Sequence, residues 1–520
     1  MGWRSVPRLI APLLLCACGY ASGQISADWP SYNGDYTGRR YSGLSQITPQ
    51  NVFQLQEQWV FHARTPGVLE ATPVVVNGIM YFTGSNDAFA LNAQTGEVLW
   101  HYSRPVSSGL IDDASGHINR GVALHGARLY METDNAHLLC LDSRSGALIW
   151  DVAYADWNKN YGATGAPLVL KDKVLVATSG GDDGVRGFLA AFDAETGKLA
   201  WRLWTIPGPG EFGSASWPGD AYLHGGGTAW MPGTYDPKLN TLYWGTGNAS
   251  PDYDGAVRPG DDLYTCSLLA IDPDTGRLKW HFQFTPHDVY DYDAVETPVL
   301  VDSRRRKLIV EANRNGYVYV LDRKSGKFIA ATQFVKTLNW ANGIDADGRP
   351  ISTGIEPTAD GTRICPGVEG ATNWYSPSYS ETTRLFYFVA LESCSIYLRK
   401  PAPFQETKEY YSTGVKRDPG KRSEQTLLAF NPLKGTFPWR YQQASDFHGY
   451  GGVMTTASGL LFFADNQRLF EAVDATTGKS LWHFNTGQNL HASPMSYAAN
   501  GHQYVAIASG SDLFTFALPR

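Results

Sequence analysis

The stretch LNAQTGEVLW, residues 91–100, decides the fold, because its phrasing returns six more times along a chain of 520 residues. LDSRSGALIW ends at Trp150, FDAETGKLAW at Trp201, IDPDTGRLKW at Trp280, LDRKSGKFIA at Ala330, FNPLKGTFPW at Trp439 and VDATTGKSLW at Trp482. In every copy an apolar residue ends a strand, Asp or Asn opens a tight turn, and Gly takes the position that needs φ > 0. A second strand then runs to the residue four after the Gly, which is Trp in all copies but the one ending at Ala330. One hairpin is being repeated. Trp100, Trp150 and Trp201 stand about 50 residues apart, and a blade of four strands takes roughly 40–50 residues. The pattern predicts an all-β chain folded as a β-propeller.

The intervals also count the blades. The one from Trp201 to Trp280 carries an insertion at 207–227, rich in Gly and Pro. The one from Ala330 to Trp439 leaves room for a blade whose turn has lost the phrase, and SETTRLFYFVA, residues 380–390, has the alternating apolar run for it. That predicts eight blades. QEQWVFHA, residues 56–63 with Trp59, and YVAIASGSDLFTFAL, residues 504–518, would pair the two ends of the chain and leave no free sheet edge.

A closed propeller is one unit however long it is, so residues 24–520 read as a single domain. With 54 Gly, 29 Pro, 16 Trp and 18% charged residues, the composition is that of a turn-rich all-β protein. A net charge of -7 offers no basic patch for nucleic acid. Residues 1–23 read as an export signal: Arg4 and Arg8, an apolar run at 9–17, then small residues to Gly23. The run is too short to span a bilayer, no other stretch could do so, and a periplasmic location follows. Leu15-Cys16-Ala17-Cys18 also approaches a lipoprotein cleavage site, which makes a lipid anchor on Cys18 the alternative. Cys140, Cys266, Cys365 and Cys394 remain in the exported chain, where disulfides persist.

Some motifs resemble chemistry without supplying its context. GPGEFG at 208–213 matches a dinucleotide fingerprint, but SASWPGD follows instead of a helix whose N-terminus could meet phosphate. TGKS at 477–480 resembles the end of a P-loop and lies inside the repeated hairpin. Neither HExxH nor CxxCH occurs, so no zincin site and no attached c-type haem is encoded.

Between the hairpins lie polar segments that a plain scaffold does not need. They are LEATP with Glu70, INRGVA with Arg120, YGATGAP with Thr164, TSGGDDGVRGF with Ser179 and Asp182, and GGGTAW with Trp230. GTGNASP with Asn248, TPHDVYDYDA with Asp291 and Asp293, NRNGYVYVLDR with Arg314, and GATNW with Asn373 follow. Each falls near the start of a blade, where inner strands line the axial channel, so distant residues converge on one pocket. In this order, from about Trp29 to the end, the segments resemble the quinoprotein alcohol dehydrogenases that use pyrroloquinoline quinone (PQQ). That family is an eight-bladed propeller whose repeated Trp residues dock one blade on the next.

The resemblance implies roles position by position. Glu70, Arg120, Thr164, Ser179 and Asn373 would hold the carboxylates and ring polar atoms of the quinone, and Trp230 would stack on its plane. A flat tricarboxylate wants guanidinium and hydroxyl donors and an aromatic face. Asp182, Asn248 and Asp291 would bind a hard cation, Ca²⁺ or a lanthanide, that also takes cofactor oxygens. Asp291 would be the base that removes the alcohol's hydroxyl proton, with Arg314 at the reactive carbonyl. Asp293, two residues on and on the same side if the segment is extended, would add a carboxylate, the form associated in this family with lanthanides. The resemblance also implies a Cys365–Cys394 disulfide, with Cys140 and Cys266 left as buried thiols.

Two departures stand out. Many members carry adjacent cysteines just before the INRG segment, whereas this chain has Ala114-Ser115, so the vicinal disulfide cannot form and electron transfer out of the reduced cofactor loses that feature. The metal position, commonly Glu, is Asp182, one methylene shorter. The expectation is a periplasmic alcohol dehydrogenase that delivers electrons to an external acceptor, a c-type cytochrome. A non-catalytic assembly scaffold and a sugar or aldehyde dehydrogenase on the same fold are the alternatives. Substrate contacts would fall in variable loops such as 401–423, a charged excursion without repeat signals.

Overall fold

The computed structural model describes residues 1–2, 27–303, 306–420, 423–445 and 448–520, so the apolar run and both cysteines of the expected export signal lie outside the described residues. The chain forms a ring of four-stranded antiparallel sheets, each drawn from one repeat: 74–103, 123–153, 168–204, 234–283, 299–333, 378–442 and 453–485. The last gains a fifth strand, Tyr41–Ser42, in parallel. An eighth sheet joins Met495–Ala499, His502–Ser509 and Asp512–Ala517 to Gln56–His62 from the other end of the chain. That closure is the one expected from Trp59 and the C-terminal run.

The blade count is eight, but one assignment within it is corrected. Residues 380–390 do not build a separate blade, because Phe386–Glu392 pairs with Glu424–Asn431, the first strand of the FNPLKGTFPW hairpin. Both belong to the sixth blade. The interval is long because an excursion is looped out between its strands, where Ser395–Arg399 pairs with Thr362–Ile364 and Thr413–Arg417. The Cys365–Cys394 disulfide ties that excursion down, and Cys140 and Cys266 are free and buried. Among the described residues no helix is long and apolar enough to cross a membrane.

The repeat phrase is the joint between blades. Gly146 sits at φ +73° and brings its turn so close to Trp100 of the preceding blade that a Cβ there would lie 2.7 Å from the ring. The Trp100 indole N–H completes the joint by donating to the Ser143 carbonyl at 2.9 Å. The same contact recurs at Gly197 on Trp150, Gly276 on Trp201, Gly326 on Trp280 and Gly478 on Trp439, while Gly96 receives Trp59 from the closing blade. Each Trp thus covers backbone that only Gly exposes. The innermost ends of the sheets are left free to face the axis.

Candidate active site

Most of the residues singled out in the sequence meet in one cavity of about 420 Å³ at the ring's centre. Arg120, Thr164, Ser179, Asp182, Trp230, Asn248, Asp291, Asp293 and Arg314 all line it.

Its acidic end is built by short, strongly constrained segments. Asp182 lies in a single 3₁₀ turn, Gly181–Asp183, between Gly180 at φ +91° and Gly184 at φ +73°. These two left-handed positions reverse the chain on both sides and carry Asp182 to the cavity wall, whereas Asp183 is fully buried away from it. Asn248 Nδ2 donates to Asp182 Oδ1 at 2.9 Å, and the Asn248 backbone N–H donates to Asp293 Oδ1 at 2.8 Å. Arg314 then joins both aspartates, at 2.6 Å from Asp293 and 3.2 Å from Asp291. Asp182, Asn248, Asp293, Arg314 and Asp291 form one chain of contacts.

Asp291 and Asp293 do converge, although not because the segment is extended. Asp291 has φ +63°, a strained value for a residue with a Cβ. The conformation is held by Asp288, whose carboxylate accepts the backbone N–H groups of Tyr290, Asp291 and Tyr292 at 3.1–3.3 Å. Asp288 is therefore the clamp of this turn, and burial pushes its carboxyl up to about 6 even against Arg258 and the N–H groups. Burial also pushes Asp291 well above the usual carboxylate range. Arg314 opposes that shift, and Asp293 and Asp182 reinforce it. Asp252, four residues beyond Asn248, is raised by burial and by the charges of Asp182 and Asp291.

The other end is aromatic and basic. The Arg120 guanidinium lies 4.8 Å from the Trp230 ring and 4.5 Å from the Trp374 ring, with its NH1 on the Thr164 carbonyl at 3.0 Å. Glu70 does not line the cavity; it stands behind Arg120, 2.6 Å from NH2. Burial raises the Glu70 carboxyl and Arg120 pulls it back. Asn373 is also outside the lining, its side chain turned to the Trp374 N–H at 2.8 Å and the Glu369 carbonyl at 3.1 Å. Ser179 Oγ donates to the Ala114 carbonyl, so the segment 112–115 is pinned without any cysteine, and Ser115 reaches the cavity.

Sequence reasoning missed Glu369, Trp374, Thr228 and Ile118 on the wall. All four lie within or just before the polar segments already chosen, so a full reading of GATNW, GGGTAW and INRGVA with their flanks would have found them.

The donor set fits a flat acid held beside a cation. The Nε atoms of Arg120 and Arg314 are buried without a hydrogen-bond partner, so both guanidinium groups retain donors for an incoming acceptor. Among the described residues no three acidic, histidine or cysteine side chains make a metal cage by themselves, so an ion here needs the Asn248 amide and oxygens from outside the protein.

Comparison with known proteins gives the family. The family model described as "Glucose/ethanol/alcohol dehydrogenase, beta-propeller domain" (PQQ) matches residues 29–337 and 429–505. A quinohemoprotein alcohol dehydrogenase, ADH IIB, from Pseudomonas putida is 37% identical over 534 residues, covering 96% of this chain and 77% of that protein. A lanthanide-dependent methanol dehydrogenase from Methylacidiphilum fumariolicum (strain SolV) is 33% identical, covering 93% and 84%. The crystal structure of the Comamonas testosteroni quinohemoprotein alcohol dehydrogenase superposes with a TM-score of 0.90 at 32% identity, covering 96% of this chain and 81% of that one. The chain belongs to the PQQ β-propeller family of glucose, ethanol and alcohol dehydrogenases.

Proposed function

We propose that this chain oxidises an alcohol to an aldehyde in the periplasm, with Asp291 as the base, and passes the electrons to a separate acceptor, a c-type cytochrome. The observation that supports this reading is the contact chain Asp182–Asn248–Asp293–Arg314–Asp291 in the cavity that also holds Trp230 and Arg120. A scaffold has no use for it, since gathering three carboxylates around the single Arg314 guanidinium costs on the order of several kcal/mol per ion in desolvation. The leader-like sequence of residues 1–23, with Arg4 and Arg8 before an apolar run, supports the compartment.

When bound, PQQ supplies a hydride acceptor and a neighbouring Ca²⁺ or lanthanide supplies Lewis acidity. Trp230 would offer a face for the ring system and Arg120 and Thr164 donors for its oxygens, while Ser179, whose hydroxyl donates to the Ala114 carbonyl, would present its oxygen as an acceptor. Glu70 orients Arg120, and Asn373 fixes the backbone of Glu369 and Trp374. Asp182, Asn248, Asp291 and Asp293 would hold the ion. Asp291 accepts the hydroxyl proton at a carboxylate oxygen, and the alcohol carbon gives up its hydrogen with both electrons, leaving the aldehyde. Arg314 steadies the charge that develops opposite. A cation held among these oxygens would offset the neighbouring carboxylates that raise Asp291 and favour the ionised form a base needs.

Dye reduction across an alcohol panel, with purified protein loaded with PQQ and either Ca²⁺ or a lanthanide, tests this. Asp291→Asn should abolish turnover with both ions. Asp293→Ala should collapse the lanthanide-supported rate and spare the calcium-supported one, because a trivalent ion loses more from a missing charge. Equal loss with both ions would reduce Asp293 to fixing Arg314 and Asn248.

A further inference from the structure

We infer that Glu369 forms a subsite for a positively charged substituent, so that this chain favours alcohols carrying an ammonium group; the inference deepens, and rests on, the alcohol-oxidising reading of the cavity. Of the four carboxylates on the cavity wall, Asp182, Asp291 and Asp293 are committed to Asn248 and Arg314. Glu369 is not. Its side chain is 42% exposed, which puts it where the cavity opens to solvent.

The backbone around Glu369 is locked next to the reaction centre. Arg314 NH2 donates to the Val368 carbonyl at 2.5 Å, and the Ala371 N–H donates to the Arg314 carbonyl at 2.8 Å. Gly370, at φ +73°, lets the loop approach so closely that a Cβ would lie 2.7 Å from Arg314 Cβ. The carboxylate is aimed as well: Oε2 accepts the Tyr450 hydroxyl at 3.1 Å and lies 3.6 Å from His448 Nδ1. Oε1 takes no hydrogen bond among the described residues and remains for a ligand.

The surroundings suit a cation. The Tyr450 ring is parallel to Trp374 within 12°, at 6.5 Å between centroids, and His448 and His491 lie 4.5 and 5.0 Å from Tyr450. Burial pushes both imidazoles below their ordinary values, so they act as neutral rings and not as competing charges. Arg120 and Arg314 are already paired with Glu70 and with Asp291 and Asp293. A carboxylate with one free oxygen, set at the hydroxyl end of Tyr450 in a wall of aromatic rings, offers both charge and apolar surface to a quaternary ammonium group.

The loaded enzyme should therefore be assayed with choline and with its neutral isostere 3,3-dimethylbutan-1-ol. We expect a KM about tenfold lower for choline, and Glu369→Gln should bring the ratio of the two KM values to about one, the size of a partly buried charge contact. Equal KM values in the wild type, or a ratio untouched by Glu369→Gln, would overturn the subsite. If neither alcohol nor any other is oxidised, the functional reading fails instead. The subsite is then read from quenching of tryptophan fluorescence by tetramethylammonium, which must occur in the wild type and weaken in Glu369→Gln, and its absence overturns the inference.

Discussion

At Arg314 one guanidinium serves Asp291, Asp293 and the Val368 carbonyl at once, and this concentration of charge makes single residues decisive here. A second buried acid, away from the proposed ion site, offers a clean test of how the interior handles charge. Glu132 is 1% exposed and its carboxylate accepts the Tyr154 hydroxyl at 2.8 Å, which does not compensate for burial. Its carboxyl is pushed up to about 8. The folded chain therefore keeps a proton that the unfolded chain releases near 4.5, the ordinary Glu value. Glu132 contributes fully to stability below that pH, and the contribution is lost as pH rises towards about 8. The slope across this window should reach about 1.4 kcal/mol per pH unit. Denaturant melts from pH 5 to 8 should show that this slope flattens in Glu132→Gln, and an unchanged slope would place the proton elsewhere.

At the scale of the element, the repeated turn joins two demands in one Gly: a left-handed backbone and a bare surface for the neighbouring Trp. The fifth repeat separates them, because Ala330 stands where Trp is otherwise found, so Gly435 of the next turn meets only Thr332 Oγ1, at 3.2 Å. Gly326, by contrast, lies where a Cβ would be 2.5 Å from the Trp280 ring. Gly435→Ala should cost only the left-handed penalty, about 1–2 kcal/mol. Gly326→Ala should cost that and about 1–3 kcal/mol more, since the ring must move out of a packed joint. Equilibrium unfolding midpoints of the two variants decide the point. Identical losses would mean that docking adds nothing beyond the backbone requirement.

For the whole molecule, the eighth sheet is completed by a junction between the two ends of the chain, the pairing of Gln56–His62 with Asp512–Ala517. Removing residues 512–520 would bare the edges of two strands and uncover Trp59, which packs against Gly96 of the first blade. The truncated chain should lose its concerted thermal transition and self-associate through those edges. Light scattering during a melt measures this. A monomer with the parent transition would show that the ring holds without closure.

The architecture was legible because it is written in local pattern. Seven copies of a turn phrase with a fixed Gly, the first three about 50 residues apart, admit one kind of fold, and the pairing of the chain ends followed from the same strand signal. The misassigned run at 380–390 shows where local pattern stops: which strands share a blade depends on long-range pairing around a looped-out excursion, and alternation within a strand carries no such information. The site divides in the same way. Residue types at the starts of blades pointed to Arg120, Trp230, Asp182, Asn248, Asp291, Asp293 and Arg314 through family resemblance, and all of them line the cavity. What tertiary structure alone decided was orientation. Glu70 and Asn373 stand behind the wall, Asp291 meets Asp293 through a left-handed turn clamped by Asp288, and Glu369 opens to solvent beside Tyr450. A side chain's direction is set by backbone torsions and packing partners that come from other blades, and those partners exist only once the ring has closed.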